Sequence, residues 1–142
     1  MTFIYLTGFK EKTLKEPRCA TVAHMVLTWA PGKYVLDCHK KTPMATSALL
    51  TLIKAIKLMP YKQDKIKVIT NNHELAWDMA QVLANNAGEF IPQNQWQKFI
   101  STLADNNMSL KQFAVSETGM MLSSEKDLAR QQVAQTSWGF AL

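Results

Sequence analysis

The succession of two hydrophobic periods along the chain constrains its fold more than any other feature. Three β-rich runs come first. They are Thr2 to Phe9, Cys19 to Ala30 (CATVAHMVLTWA) and Lys33 to His39 (KYVLDCH), with a charged loop from Lys10 to Arg18 after the first. Pro31-Gly32 is a turn signal that joins the second and third runs as an antiparallel pair. With that turn central, paired residue numbers sum to about 63. Cys38 then faces Met25, Cys19 faces the region of Met44, and a disulfide is not expected.

The period then becomes helical. Leu49, Leu52, Ile53, Ile56 and Met59 recur at three and four, with Lys54 and Lys57 opposite and Pro60 as the stop. Lys65 to Thr70 (KIKVIT) reads as a buried strand. Asn71 and Asn72 can cap a second helix, with Glu74 placed for a capping box and Leu75, Met79, Val82 and Leu83 on its apolar face. Asn85, Asn86 and Gly88 end it. Asn94 can cap a third helix carrying Trp96, Phe99, Ile100 and Leu103. Met108 to Val115 reads as a fifth strand. Ser124 with Asp127 opens a last helix reaching about Gln135. The predicted order is β-β-β-α-β-α-α-β-α: a mixed five-stranded sheet flanked by helices on both faces, an α/β (mixed α+β) class.

Composition bounds what such a sheet can be. The 142 residues suit a single domain over 1–142, and 47% hydrophobic residues supply a core. No segment is long and apolar enough to span a bilayer, and no basic leader precedes the first apolar run, so the expected compartment is the cytoplasm. Cys19 and Cys38 are expected as free thiols, and no metal set forms around them. Net charge is +5, with basic residues at Lys10, Lys12, Lys15 and Arg18 and again at Lys40, Lys41, Lys54, Lys57, Lys62, Lys65 and Lys67. That surplus serves either phosphate contacts or solubility. His24 reads as a packed or edge histidine and His73 as a residue at a helix start. Trp96 fits a helix core, while Trp29, Trp77 and Trp138 are available for stacking. The apolar tail Trp138, Phe140 and Leu142 can pack on the body or on a partner protein.

Six stretches, in order, resemble the ribonuclease H family. Ile4-Tyr5-Leu6-Thr7-Gly8 is similar to its opening strand, and Ser47 to Ile56 to its first helix. Val68-Ile69-Thr70-Asn71-Asn72 matches its fourth strand, and Gln95 to Phe99 its Leu-Trp-x-x-Leu helix. Phe113 to Glu117 and Glu125 to Arg130 match the closing strand and helix. The resemblance implies a nuclease fold in which four carboxylates hold two divalent cations. It also implies that those four positions here hold Thr7, Ala48 (Ser47 in a register one residue earlier), Asn71 and Lys126, with Glu117 in place of the loop histidine. Magnesium wants charged oxygen ligands, which these residues do not supply, so no cofactor is expected. Asp127 lies about 100° around the helix from the expected acid position, Asp37 lies on the third strand away from it, and Glu117 and Glu125 can approach the site on a flexible loop. Gly8 and Thr42 match substrate-contacting positions of the family, and with Lys40, Lys41 and Asn72 form the candidate nucleic-acid contacts. Two asparagines of the family's Thr-Asn-Asn loop are replaced by Pro43 and Met44.

Three functions follow in order of preference. The first is a catalytically inactive domain of this fold that binds RNA or DNA through its basic surface. The second is a protein-interaction module, and the third a nuclease whose metal ligands have moved to residues such as Glu117 or Asp127.

Overall fold

The computed structural model describes residues 1–11, 18–27, 32–59, 65–119 and 123–137. Their order is β1 (Thr2–Glu11), β2 (Arg18–Leu27), β3 (Lys33–Lys40), α1 (Met44–Lys57), β4 (Ile66–Thr70), α2 (His73–Leu83), α3 (Gln93–Asp105), a 3₁₀ turn (Leu110–Gln112), β5 (Phe113–Glu117) and α4 (Ser123–Ser137). This is the predicted succession. The five strands form one sheet in the order β3-β2-β1-β4-β5. β1 pairs antiparallel with β2 and parallel with β4, β2 pairs antiparallel with β3, and β4 pairs parallel with β5.

Strand alternation sends successive side chains to opposite faces. Ile4 and Leu6 of β1 and Ala23 and Met25 of β2 enter the main core with Leu49, Leu52 and Ile56 of α1 and Leu75 and Met79 of α2. Trp96 of α3 closes that layer, edge-on to Phe99 at 5.6 Å, and Phe99 is edge-on to Phe113 of β5 at 5.7 Å. Each such fully buried large side chain stabilises the fold by about 1.5–3 kcal/mol. Helix α4 takes the other face, packed across β1, β2 and β3. Among the described residues no helix is long and apolar enough to cross a membrane.

The hairpin register differs from expectation. Arg18 faces Lys40 and Met25 faces Lys33, so paired numbers sum to 58. Gly32 is needed for close approach to β2 rather than for a central turn. A Cβ on it would lie 2.8 Å from Nε2 of His24 and 3.2 Å from the Met25 carbonyl oxygen. Cys38 therefore faces Ala20, not Met25, and Cys19 faces His39. One rung apart on neighbouring strands, the two cysteines point to opposite faces, and both are free. The Cys19 thiol, buried and donating to the Thr42 carbonyl at 3.2 Å, has its pKa raised, chiefly by that burial.

Local starts and stops also shift. Asn72 caps α2, accepting from the Leu75 amide at 2.8 Å, whereas Glu74 lies in the first turn and is exposed. Asn94 is not a cap, because α3 begins after Pro92. The loop before it is ordered by Asp78 of α2, which is fully buried. Asp78 accepts from the amides of Glu89 (2.8 Å), Phe90 (3.0 Å) and Ile91 (2.7 Å), and from the Trp96 indole at 3.3 Å. Gly88 gives way to this carboxylate, since a Cβ there would meet its Oδ2 at 2.6 Å. The fifth strand starts later than expected. Met108 turns into the core, and Ser109 and Gln112 form a reciprocal capping box around the 3₁₀ turn. In α4, Ser124 lies inside the helix and Asp127 is exposed, 3.7 Å from Arg130. Pro31, Pro60 and the tail residues Trp138, Phe140 and Leu142 fall outside the described residues.

Burial alone would raise the pKa of Asp78, but the bonds from Phe90, Ile91, Glu89 and Trp96 outweigh it and hold the carboxyl below its usual value of 3.8. A lowered carboxyl pKa stabilises the fold above the unfolded-state value, and that contribution is lost as pH falls through the folded one. Replacing Asp78 with Ala strands several buried donors and is expected to cost about 3 kcal/mol or more in urea unfolding at neutral pH. A loss below about 1 kcal/mol would show that the loop is held by something else.

Candidate functional site

β1 and β4 run side by side until β4 ends, and β1 continues paired with β2 alone. The last paired rung is Leu6 with Thr70, which leaves Thr7, Gly8, Asn71 and Asn72 at the carboxyl end of the sheet. From here β1 leads to β2 on one side, while β4 leads through α2 and α3 to β5 on the other. Such a divergence opens a crevice where open sheets bind ligands.

Asn71 bridges the end of β4 to the middle of β1. Its amide donates to the Leu6 carbonyl at 3.4 Å, and its Oδ1 accepts from the Gly8 amide at 3.1 Å. On the next strand, Glu117 pairs in register with Thr70 and bonds Nδ1 of His73 at 2.9 Å. On the α4 side of the sheet, Thr7 donates to Oε2 of Glu125 at 3.4 Å, and Nδ1 of His24 lies 2.7 Å from Oε1. The Glu125 side chain is fully buried. His24 stacks on Tyr34 with ring centroids 4.1 Å apart, and Arg130 lies 5.2 Å over the Phe9 ring. Among the described residues, the two acids that reach this end of the sheet, Glu125 and Glu117, are thus each bound to a histidine.

Glu125 approaches as part of α4, not on a loop. It heads an inward stripe with Ala129 and Val133, both buried, and that four-residue spacing was available in the sequence. Lys126, one residue on, is turned about 100° around the helix. Ala48 is buried in α1. Gly8 is brought against the first residue of α1, next to the turn that precedes it, because a Cβ on it would lie 2.6 Å from the Met44 sulfur. Thr42 in that turn donates to the Lys40 carbonyl at 2.9 Å, Lys40 ends β3 exposed, and Lys41 has a left-handed φ of 52°. Asn72 spends its side-chain oxygen on the α2 cap. The structure therefore gathers Thr7, Gly8 and Asn71 at one point, with Thr42 close by through Met44, while Lys40 and Lys41 lie at the exposed end of β3. One further link was not anticipated: His39 touches the Ser47 hydroxyl at 2.6 Å with Nδ1 and Asp37 at 3.1 Å with Nε2.

No protein-family model matches the chain, and no curated protein matches it. Solved structures do. LC11-RNase H1, determined in complex with an RNA/DNA hybrid, superposes with a TM-score of 0.71 at 10% identity, over 96% of this chain and 99% of that one. RNase H1 from Halobacterium salinarum gives 0.61 at 10% identity over 94% and 98%, and the PFV RNase H domain gives 0.58 at 13% over 96% and 94%. The fold is that of ribonuclease H. The cation pair implied by the ribonuclease H resemblance does not fit the side chains present here. Thr7 and Asn71 offer neutral oxygens, that of Asn71 already taken by Gly8, and Glu125 is enclosed by His24 and Thr7. Among the described residues no three His, Cys, Asp or Glu side chains group to hold a metal ion.

The His73 pKa is raised above 6.5, first by its hydrogen bond to Glu117 and then by that residue's charge. A raised histidine pKa makes the contact strongest below the unfolded value and loses it as pH rises through the folded one. An NMR titration should therefore place the His73 midpoint above 6.5, with Glu117→Gln returning it toward that value. An unchanged midpoint in the variant would contradict the contact.

Proposed function

We propose that this chain is a non-catalytic domain of the ribonuclease H fold, one domain across residues 1–142, that binds nucleic acid through its basic surface. The candidate contacts are Gly8, Lys40, Lys41, Thr42 and Asn72, and the expected compartment is the cytoplasm. The observation that carries the non-catalytic reading is the state of the β1–β4 end. The positions matched to the family's metal-binding acids hold Thr7, Ala48, Asn71 and Lys126, and the acid nearest to them, Glu125, is buried and bonded to His24 and Thr7. A metal-activated water needs several charged oxygens open to the ion, and among the described residues this end offers only the exposed Glu117, tied to His73 through one oxygen.

Support for nucleic acid as the partner comes from charge and from fold. Net charge is +5, and Lys40, Lys41 and Lys10 are exposed near the strand ends that surround Gly8 and the Thr42 turn. Cationic side chains displace condensed counterions from a phosphate backbone, which gives affinity without metal and without base reading. The LC11-RNase H1 structure holds an RNA/DNA hybrid, so a chain folded this way can present a hybrid-sized surface. A protein-docking role is the alternative. It draws on the exposed Trp77, Phe90 and Ile100 and on an apolar cleft of about 360 Å³ lined by Leu83, Ile100, Leu103 and Met108.

The test is a titration with a labelled RNA–DNA hybrid, a DNA duplex and single strands, with and without magnesium. Two to three phosphate contacts predict a loss of about ten- to fortyfold in affinity between roughly 50 and 200 mM salt. Magnesium should not strengthen binding beyond its screening effect, and no strand should be cut. Lys40→Glu combined with Lys41→Glu should weaken binding and flatten the salt slope. Absence of binding to every strand at low salt would remove this reading in favour of a protein partner, and magnesium-dependent cleavage would restore a nuclease.

A further inference from the structure

A second pocket lies between β3, α1 and α3. Its volume is about 270 Å³, and it is lined by Asp37, His39, Leu50, Ile53, Lys54, Lys57 and Lys98. None of these residues belongs to the Thr7–Glu125 end of the sheet. The three lysines come from two helices. Lys54 and Lys57 occupy the last turns of α1, one turn apart, and Lys98 projects from α3. All three are exposed. Fold geometry, not a local charge run, has brought them to one cavity.

The sheet side of the pocket is polar and already organised. His39 is held at both ring nitrogens, by Ser47 at 2.6 Å and by Asp37 at 3.1 Å. The second oxygen of Asp37 accepts from the Cys38 amide at 3.0 Å. The single acid in the lining therefore has its oxygens directed to the protein, while Lys54, Lys57 and Lys98 bring three positive charges to the same lining, the Lys54 ammonium donating to the Leu36 carbonyl at 3.3 Å. Thr21, cross-strand from Asp37, buries a hydroxyl with no partner among the described residues. Three positive charges against one negative select an anion. The volume falls just under the roughly 300–1,000 Å³ of drug-sized pockets. It therefore suits a phosphate or a phosphorylated sugar better than a whole dinucleotide.

We propose that this pocket is a phosphate-binding site, in which Lys54, Lys57 and Lys98 supply the charge and the His39–Asp37 pair forms a fixed wall. The phosphate has two possible sources, a free phosphomonoester or the backbone of a nucleic-acid strand. The site does not depend on the interface proposed above.

The test follows backbone amide shifts of the full chain during titration with inorganic phosphate, then with adenosine monophosphate, then with a short DNA strand with and without a 5′-phosphate. Saturable shifts should centre on residues 37–39, 54–57 and 98. Lys98→Glu should weaken inorganic phosphate about tenfold or more, as expected for loss of a charge-assisted contact. Lys111→Glu, the same charge change on an exposed lysine outside the pocket, should stay within about twofold. Sensitivity of the DNA strand to Lys98→Glu regardless of its 5′-phosphate identifies the backbone as the source. Sensitivity only for adenosine monophosphate and the 5′-phosphorylated strand identifies a phosphomonoester. Equal losses in both lysine variants, or shifts that never saturate, would overturn the site. Phosphate binding without any strand binding would leave the pocket standing and remove the nucleic-acid reading.

Discussion

A carboxyl group enters a protein interior only with partners, because its desolvation costs several kcal/mol unless hydrogen bonds replace the lost water. Glu125 meets that condition through His24 and Thr7, and the arrangement of this molecule follows from it. The contact joins α4 to β1 and β2 at the point where the sheet divides. It fixes the rotation of α4, directs Ala129 and Val133 inward and leaves Asp127 exposed. It also explains the neighbourhood of His24. Tyr34 stacks on the ring, and Gly32 leaves room for its Nε2, so β3 is drawn into register by the same histidine.

That histidine marks where sequence reasoning reached its limit. The succession of elements could be read in advance because periods of two and of three to four persist over whole segments. The β2–β3 register could not. Pro-Gly signals a turn, but a glycine required for close approach looks identical in sequence to one required for its φ. Long-range choices decided between them: His24 opposite Tyr34, and Ala23, Met25 and Val35 in the core. The start of α3 was misplaced for a related reason. Asn94 has the chemistry of a cap, but Asp78 had already captured the loop amides of Glu89, Phe90 and Ile91, eleven to thirteen residues after it.

At the strand ends, the resemblance located Thr7, Gly8 and Asn71, which lie together. The acid that matters was weighed on the wrong support. Glu125 was considered for a loop, and Lys126 was matched to the helix position facing the site. A single residue turns a helix by about 100°, so helix packing, not text similarity, selects which of two neighbours points inward. Two carboxyl–histidine pairs result, one buried and one exposed, where the resemblance implies a cluster of free acids. The basic residues proposed to contact phosphate lie elsewhere, some beside the Thr42 turn and others across α1 and α3.

The central claim is that the β1–β4 end is closed to divalent cations, and paramagnetic broadening by manganese reads this directly. On adding manganese to the free protein, the amides of Thr7, Gly8, Asn71 and Glu125 should broaden no more than those of other residues with comparable exposure. Selective, saturable broadening at these four amides, reversed by excess magnesium, would contradict the account and return a metal centre to this site.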